Sequence, residues 1–203
     1  MDADTIIAGL LHDVVEDCEI SLKTVKKEFG TNVAKLVDGM TKLLQLDDKL
    51  KDQSQAEYFQ KMALATAEDV RVVIIKLADR LHNLQTIEHL PRDKQIKKAK
   101  ETLELYAPLA HQIGMHKMAT DLEDHSFKTI HPFRHNLIEQ ALKKNELNRK
   151  TLISKVKKTL KAKFKKNKLE AGTKGRRKRI YSIYQKMRAK QKSFADIYDV
   201  FAF

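Results

Sequence analysis

An imidazole and three carboxylates crowd into Leu10-Leu11-His12-Asp13-Val14-Val15-Glu16-Asp17. At about 100° per residue, a helix would gather His12, Asp13, Glu16 and Asp17 into an arc of roughly 140°. Ile7, Leu10, Leu11, Val14 and Val15 would take most of the remaining surface. Carboxylates rarely stand unpaired against a core, so this arrangement points to a ligand cluster. A distant partner is available in Asp79, which interrupts the most apolar stretch of the chain, from Val70 to Leu84. An aspartate there needs a compensating charge: Lys76, Arg80 or a metal ion. Imidazole nitrogen with hard carboxylate oxygens suits Mn²⁺ or a divalent ion of similar hardness, and the competing reading is a buried ion pair.

These groups need elements to hold them. Thr5 to Asp17 reads as one helix. Ser21 caps a second, with Leu22, Val25 and Phe29 at helical spacing and Gly30 at its end. Thr31 caps a third, burying Val33, Leu36, Val37 and Met40. Leu46 to Ser54 turns polar and reads as a mobile loop, followed by a helix over Gln55–Thr66. The β-branched run from Asp69 to Leu84 fits a buried strand by composition. The spacing of Lys76-Leu77-Ala78-Asp79-Arg80-Leu81-His82-Asn83 favours a single buried helix. Pro91 opens a turn, and helices over Lys94–Ala110, with Pro108 near the end, and Lys117–Phe127 follow. Residues 134–168 read as one or two long basic helices, broken by Ala171-Gly172-Thr173-Lys174-Gly175. A last helix covers Ile180–Met187. The closing run Phe194 to Phe203 is apolar and uncapped, so the chain is expected to stop where a fold would continue.

With 203 residues, 42% of them hydrophobic and 33% charged, the chain has the composition of an ordinary globular protein. No apolar run reaches the ~18 residues of a membrane span, and no basic segment marks a signal peptide. Cys18 is alone, so no disulfide within the chain can form and the cytoplasm is the expected compartment. The net charge of +13 is concentrated at one end: residues 141–203 hold 21 Lys and Arg against four acids. An acidic front that could hold a metal therefore precedes a basic region that could meet phosphates.

Several segments together resemble one family. They are His12-Asp13-Val14-Val15-Glu16-Asp17, Phe29-Gly30-Thr31 through Met40-Thr41-Lys42-Leu43, Asp69 through Asn83, Glu101 through Ala110, and Asp121-Leu122-Glu123-Asp124-His125-Ser126-Phe127. In order and spacing they are similar to the HD hydrolase domain of the RelA/SpoT family, enzymes that make and destroy the alarmone (p)ppGpp. The resemblance runs over essentially the whole chain. It implies a mainly all-α fold: an HD helical bundle over 1–133, a basic helical linker over 134–171, and the opening of an α/β synthetase domain over 172–203.

The same resemblance implies that His12, Asp13 and Asp79 ligate Mn²⁺ while Glu16 and Asp17 position and activate the attacking water. Arg80, Asn83 and Thr86 would face the nucleotide. The reaction would remove the 3′-pyrophosphate, leaving GDP or GTP. Gly175 to Met187 looks like the family's ATP-contacting segment, with Arg176, Lys178, Ser182 and Lys186 on phosphates and Asp199 on Mg²⁺. A solvated basic patch is the alternative there.

The family's site also draws a fourth ligand, a histidine, and a guanine-gripping loop from helices that would precede Met1. Weak or absent hydrolysis by this chain is therefore expected, and synthesis is not expected. The other function class is a non-catalytic module whose basic half binds RNA, the ribosome or another phosphate-rich partner.

Overall fold

The computed structural model describes residues 2–18, 20–49, 69–144, 146–171, 176–194 and 201–202, which are predominantly helical, as expected. Helix α1 (Ala3–Leu10) starts at Asp2, whose carboxylate accepts from the Thr5 amide at 2.9 Å. The same carboxylate pairs at 2.9 Å with Arg71 on α5 (Val70–Gln85). Arg71 also binds its own helix cap, Asp69, so one guanidinium ties two helix starts together. The Thr5 donors, ahead of Arg71, hold the Asp2 carboxyl at about 2, below its ordinary 3.8.

The expected helix over Thr5–Asp17 is broken. The Leu11 amide is shared between Ile7 and Ala8 carbonyls at 3.0 and 3.2 Å, and Val14 reaches back only three residues, to Leu11. This tightening ends α1 at Leu10 and restarts the chain as α2 (Val14–Asp17). His12 and Asp13 therefore sit in a turn and do not share a straight helix face with Glu16 and Asp17. Leu10, expected on the apolar stripe, is 79% exposed.

Ser21 caps α3 (Leu22–Phe29) through the Thr24 amide, and Gly30 ends it at φ 89°, a left-handed conformation that glycine adopts without strain. Helix α4 (Thr31–Lys49) is the spine of this region: α1, α3 and α5 all pack on it. Its buried face holds Val33, Leu36, Val37, Met40 and Leu43, against Val72, Val73, Ile75, Leu77 and Leu84 of α5. Between them a Cβ at Gly39 would stand 2.8 Å from Cγ2 of Val72, so the two backbones approach where glycine leaves room. The loop expected from Leu46 is helical as far as Lys49, because polar residues such as Gln, Asp and Lys do not by themselves end a helix. The rest of that stretch and the expected Gln55–Thr66 helix lie outside the described residues.

Asp69–Leu84 forms a helix, capped by Asp69, and the strand reading is set aside. Pro91 precedes α6 (Arg92–Glu101), which widens into a π-helical turn over Thr102–Tyr106 and resumes as α7 (Ala107–Gln112). The single helix expected over Lys94–Ala110 is thus interrupted. Pro108 supplies the reason: it has no N–H to donate, and its ring crowds the carbonyl one turn back, so a wider turn relieves both problems. The Ala107 amide accordingly bonds five residues back, to Thr102. Gly114, at φ 79°, then turns the chain into α8 (His116–Ile130).

By contact the chain forms two compact units, Met1–Ser126 and Phe127–Phe203. In the second, α9 (Pro132–Lys144) packs on α10 (Glu146–Lys166) and on α11 (Ile180–Lys190). Its core gathers Phe127, Ile138, Leu142, Ile180, Ile183 and Tyr184, with the Phe127 and Tyr184 rings stacked at 4.4 Å. The expected linker and the segment after it therefore share one core. Strand β1 (Arg176–Arg177) pairs antiparallel with β2 (Phe201–Ala202), the only sheet among the described residues. Among those residues no helix is long and apolar enough to cross a membrane.

Candidate active site

The turn between α1 and α2 places His12 against the middle of α5. Its Nδ1 donates to the Gly9 carbonyl at 2.8 Å, which fixes the neutral tautomer and leaves the Nε2 lone pair for a second partner. Nε2 is shielded from solvent and makes no aligned hydrogen bond. It lies 3.0 Å from Oδ2 of Asp13 and 3.5 Å from Oδ1 of Asp79. A lone pair facing two carboxylates is unfavourable unless a cation, proton or metal, sits among them.

The surroundings point the same way. Asp79 is mostly buried, with Lys76 Nζ at 3.8 Å from Oδ2 and Asn83 Nδ2 donating to Oδ1 at 2.7 Å. Burial would raise its carboxyl, but His12, Lys76 and Arg80 together hold it below the usual carboxylate range. Asp79 raises the His12 imidazole in turn; burial opposes this, and Gly9 and Asp13 reinforce it.

Among the described residues no group of three His, Cys, Asp or Glu side chains is arranged to hold a metal ion. The donor chemistry at His12, Asp13 and Asp79 nevertheless fits a divalent ion. The tautomer is set, Nε2 makes no aligned hydrogen bond, and each Asp brings one hard oxygen to within 3.5 Å of it.

The remaining expected residues are placed differently. Glu16 and Asp17 are exposed on α2. Thr86 closes α5, exposed, with Oγ1 donating to the His82 carbonyl. Arg80 points into the bundle, its guanidinium 3.1 Å from Glu101 and 4.0 Å above the Tyr106 ring. Neither that pairing nor the Gly9 carbonyl was foreseen. A backbone acceptor has no residue signature, and Tyr106 reaches Arg80 from a π turn that helical periodicity does not encode.

In the second unit, Lys178 precedes α11, and Ser182 and Lys186 stand one turn apart on it, all three half-buried. Arg176 belongs to β1, and Asp199 lies outside the described residues.

Comparison with known proteins bears on both units. A family model described as HD domain matches residues 1–116. Over all 203 residues the chain is 42% identical to the guanosine-3′,5′-bis(diphosphate) 3′-pyrophosphohydrolase of Haemophilus influenzae, covering 30% of that protein. It is 41% identical to the bifunctional (p)ppGpp synthase/hydrolase SpoT of Escherichia coli K12, covering 29% of it. It is 44% identical over 202 residues to the GTP pyrophosphokinase of Streptomyces coelicolor, covering 23% of that protein. The chain thus spans less than a third of the length of these relatives. With His12-Asp13 inside the matched region and a helical bundle around it, the chain belongs to the HD domain family.

Proposed function

We propose that this chain carries a hydrolytic site for the 3′-pyrophosphate of (p)ppGpp, the substrate named in its relatives, and that the site works with Mn²⁺. One observation carries the reading: a buried imidazole nitrogen, its tautomer set by Gly9, facing the carboxylates of Asp13 and Asp79. His12, Asp13 and Asp79 would hold the ion. When bound, it would supply Lewis acidity toward phosphate oxygens and lower the pKa of nearby water.

The chain's own groups account for the rest. Asn83 fixes the rotamer of Asp79 by donating to Oδ1, and Lys76 offsets its buried charge. Glu16 or Asp17, exposed beside the turn, would take a proton from the attacking water. Water oxygen would join phosphorus as the bond to the ribose 3′-oxygen breaks, and the proton taken from the water would pass to that oxygen, which leaves as a hydroxyl. Thr86, exposed at the end of α5, would meet the nucleotide. A cytoplasmic setting, in which the free and exposed Cys18 stays reduced, accompanies this reading.

The test is Mn²⁺-dependent release of pyrophosphate from ppGpp, followed together with Mn²⁺-induced thermal stabilisation. Asp79→Asn is expected to abolish the stabilisation and to bring release, weak in this chain, down to background. A chain that gains no stability from Mn²⁺, or that is indifferent to Asp79→Asn in both measurements, would sink the proposal.

A second reading rests on charge. Lys155, Lys158, Lys161, Lys163, Lys165 and Lys166 are all exposed on α10, in a region with few acids. This face would bind RNA or another polyanion, including the ribosome. Arg176, Lys178, Ser182 and Lys186 would meet ATP phosphates in a complete synthetase, with Asp199 on Mg²⁺.

A further inference from the structure

A second set of imidazoles lies at the turn from α7 to α8. His111 lies in the last turn of α7, Gly114 turns the chain at φ 79°, and His116 opens α8. The Gly114 amide bonds the His111 carbonyl and the Met115 amide bonds that of Ala110, so the turn itself is hydrogen-bonded. It brings Nδ1 of His111 to 3.4 Å from Nδ1 of His116. Seven residues along α8, and so on the same face as His116, Glu123 places Oε1 at 3.3 Å from Nε2 of His111. A carboxylate only accepts, so the proton of neutral His111 rests on Nε2 and its Nδ1 presents a lone pair toward His116.

We propose that His111 and His116 form a two-histidine site for a borderline transition-metal ion such as Zn²⁺ or Ni²⁺, with Glu123 as the carboxylate that orients His111. The bite matches: two nitrogens each about 2.05 Å from one tetrahedral ion lie about 3.3 Å apart. The donor set matches as well, since neutral imidazoles without hard oxygens select Zn²⁺, Ni²⁺ or Cu²⁺ over Mg²⁺ or Mn²⁺. A carboxylate on the distal N–H is the usual companion of a metal-bound histidine, making the ring more basic and fixing its orientation. Both rings are exposed, so the ion can enter and keep water in its remaining positions. Such an ion would clamp the α7–α8 turn.

The test titrates Zn²⁺ into the full chain while the side-chain NMR signals of the histidines are followed. His111 and His116 are expected to respond together, at Zn²⁺ well below about 1 mM. His116→Ala should remove the His111 response, and Glu123→Gln should weaken it about tenfold to a hundredfold, with the thermal melt in the absence of metal unchanged for His116→Ala. His12→Ala should leave the response of the pair intact, which separates this site from the one at the α1–α2 turn. A His111 response that persists in His116→Ala, or that vanishes in His12→Ala, overturns the proposal. So does the absence of any response from the pair at about 1 mM Zn²⁺.

Discussion

His12 shows how one side chain acquires a role from its surroundings. The dipeptide His12-Asp13 and the intrusion of Asp79 into an apolar run are readable in the sequence because each violates a simple expectation of where charge belongs. The carbonyl of Gly9, which sets the His12 tautomer, is not readable, because every residue has one. Arg80 is a parallel case. Its guanidinium bridges Glu101 and the Tyr106 ring, so Arg80→Ala should cost about 2 kcal/mol in urea denaturation. Asp2 offers a test by pH. Its folded carboxyl, at about 2, lies below the ordinary 3.8, so the ionised form stabilises the native state. That contribution is complete above about pH 5 and disappears as pH falls through the folded value. The stability gap between the wild type and Asp2→Asn should therefore be constant at neutral pH and shrink toward the acid limit. A gap that widens on acidification would contradict the assignment.

Helices are legible where caps and periodicity agree, as at Ser21 and Gly30. They are misjudged where a local competitor intervenes: the tightened turn at Leu11, and Pro108 behind the π turn. The crossing of α4 and α5 provides a prediction of sign. Gly39→Ala gains about 1 kcal/mol of helix propensity, but its methyl would meet the stiff Val72 side chain at 2.8 Å. Overpacking of this kind costs about 1–3 kcal/mol, so the substitution should be net destabilising. In a Val72→Ala background the clash is gone and the same change should stabilise. A double-mutant cycle read by urea unfolding would show coupling between the two sites, and additive effects would refute it.

For the whole molecule, charge asymmetry is the property most plainly written in the sequence, since it needs no fold to be counted. Polyanion binding through α10 should weaken linearly in log–log plots against salt, with a slope of about −0.7 per single-stranded phosphate neutralised. It should be unaffected by Asp79→Asn; loss of RNA binding in that variant would tie the basic region to the hydrolytic site. The π turn at Thr102–Tyr106 reaches further than its five residues suggest. Such a turn holds one residue more than the α turn it replaces, and so has the form of a tolerated insertion. Excising Glu104 would remove the residue that the wider turn absorbs and leave helix α7 near its present angular phase. The ring of Pro108 would then crowd an α-helical carbonyl one turn back, while the His111–His116 turn would keep its aim. A single codon in this segment thus lets a proline sit within a continuous helical rod without moving the histidine cluster beyond it.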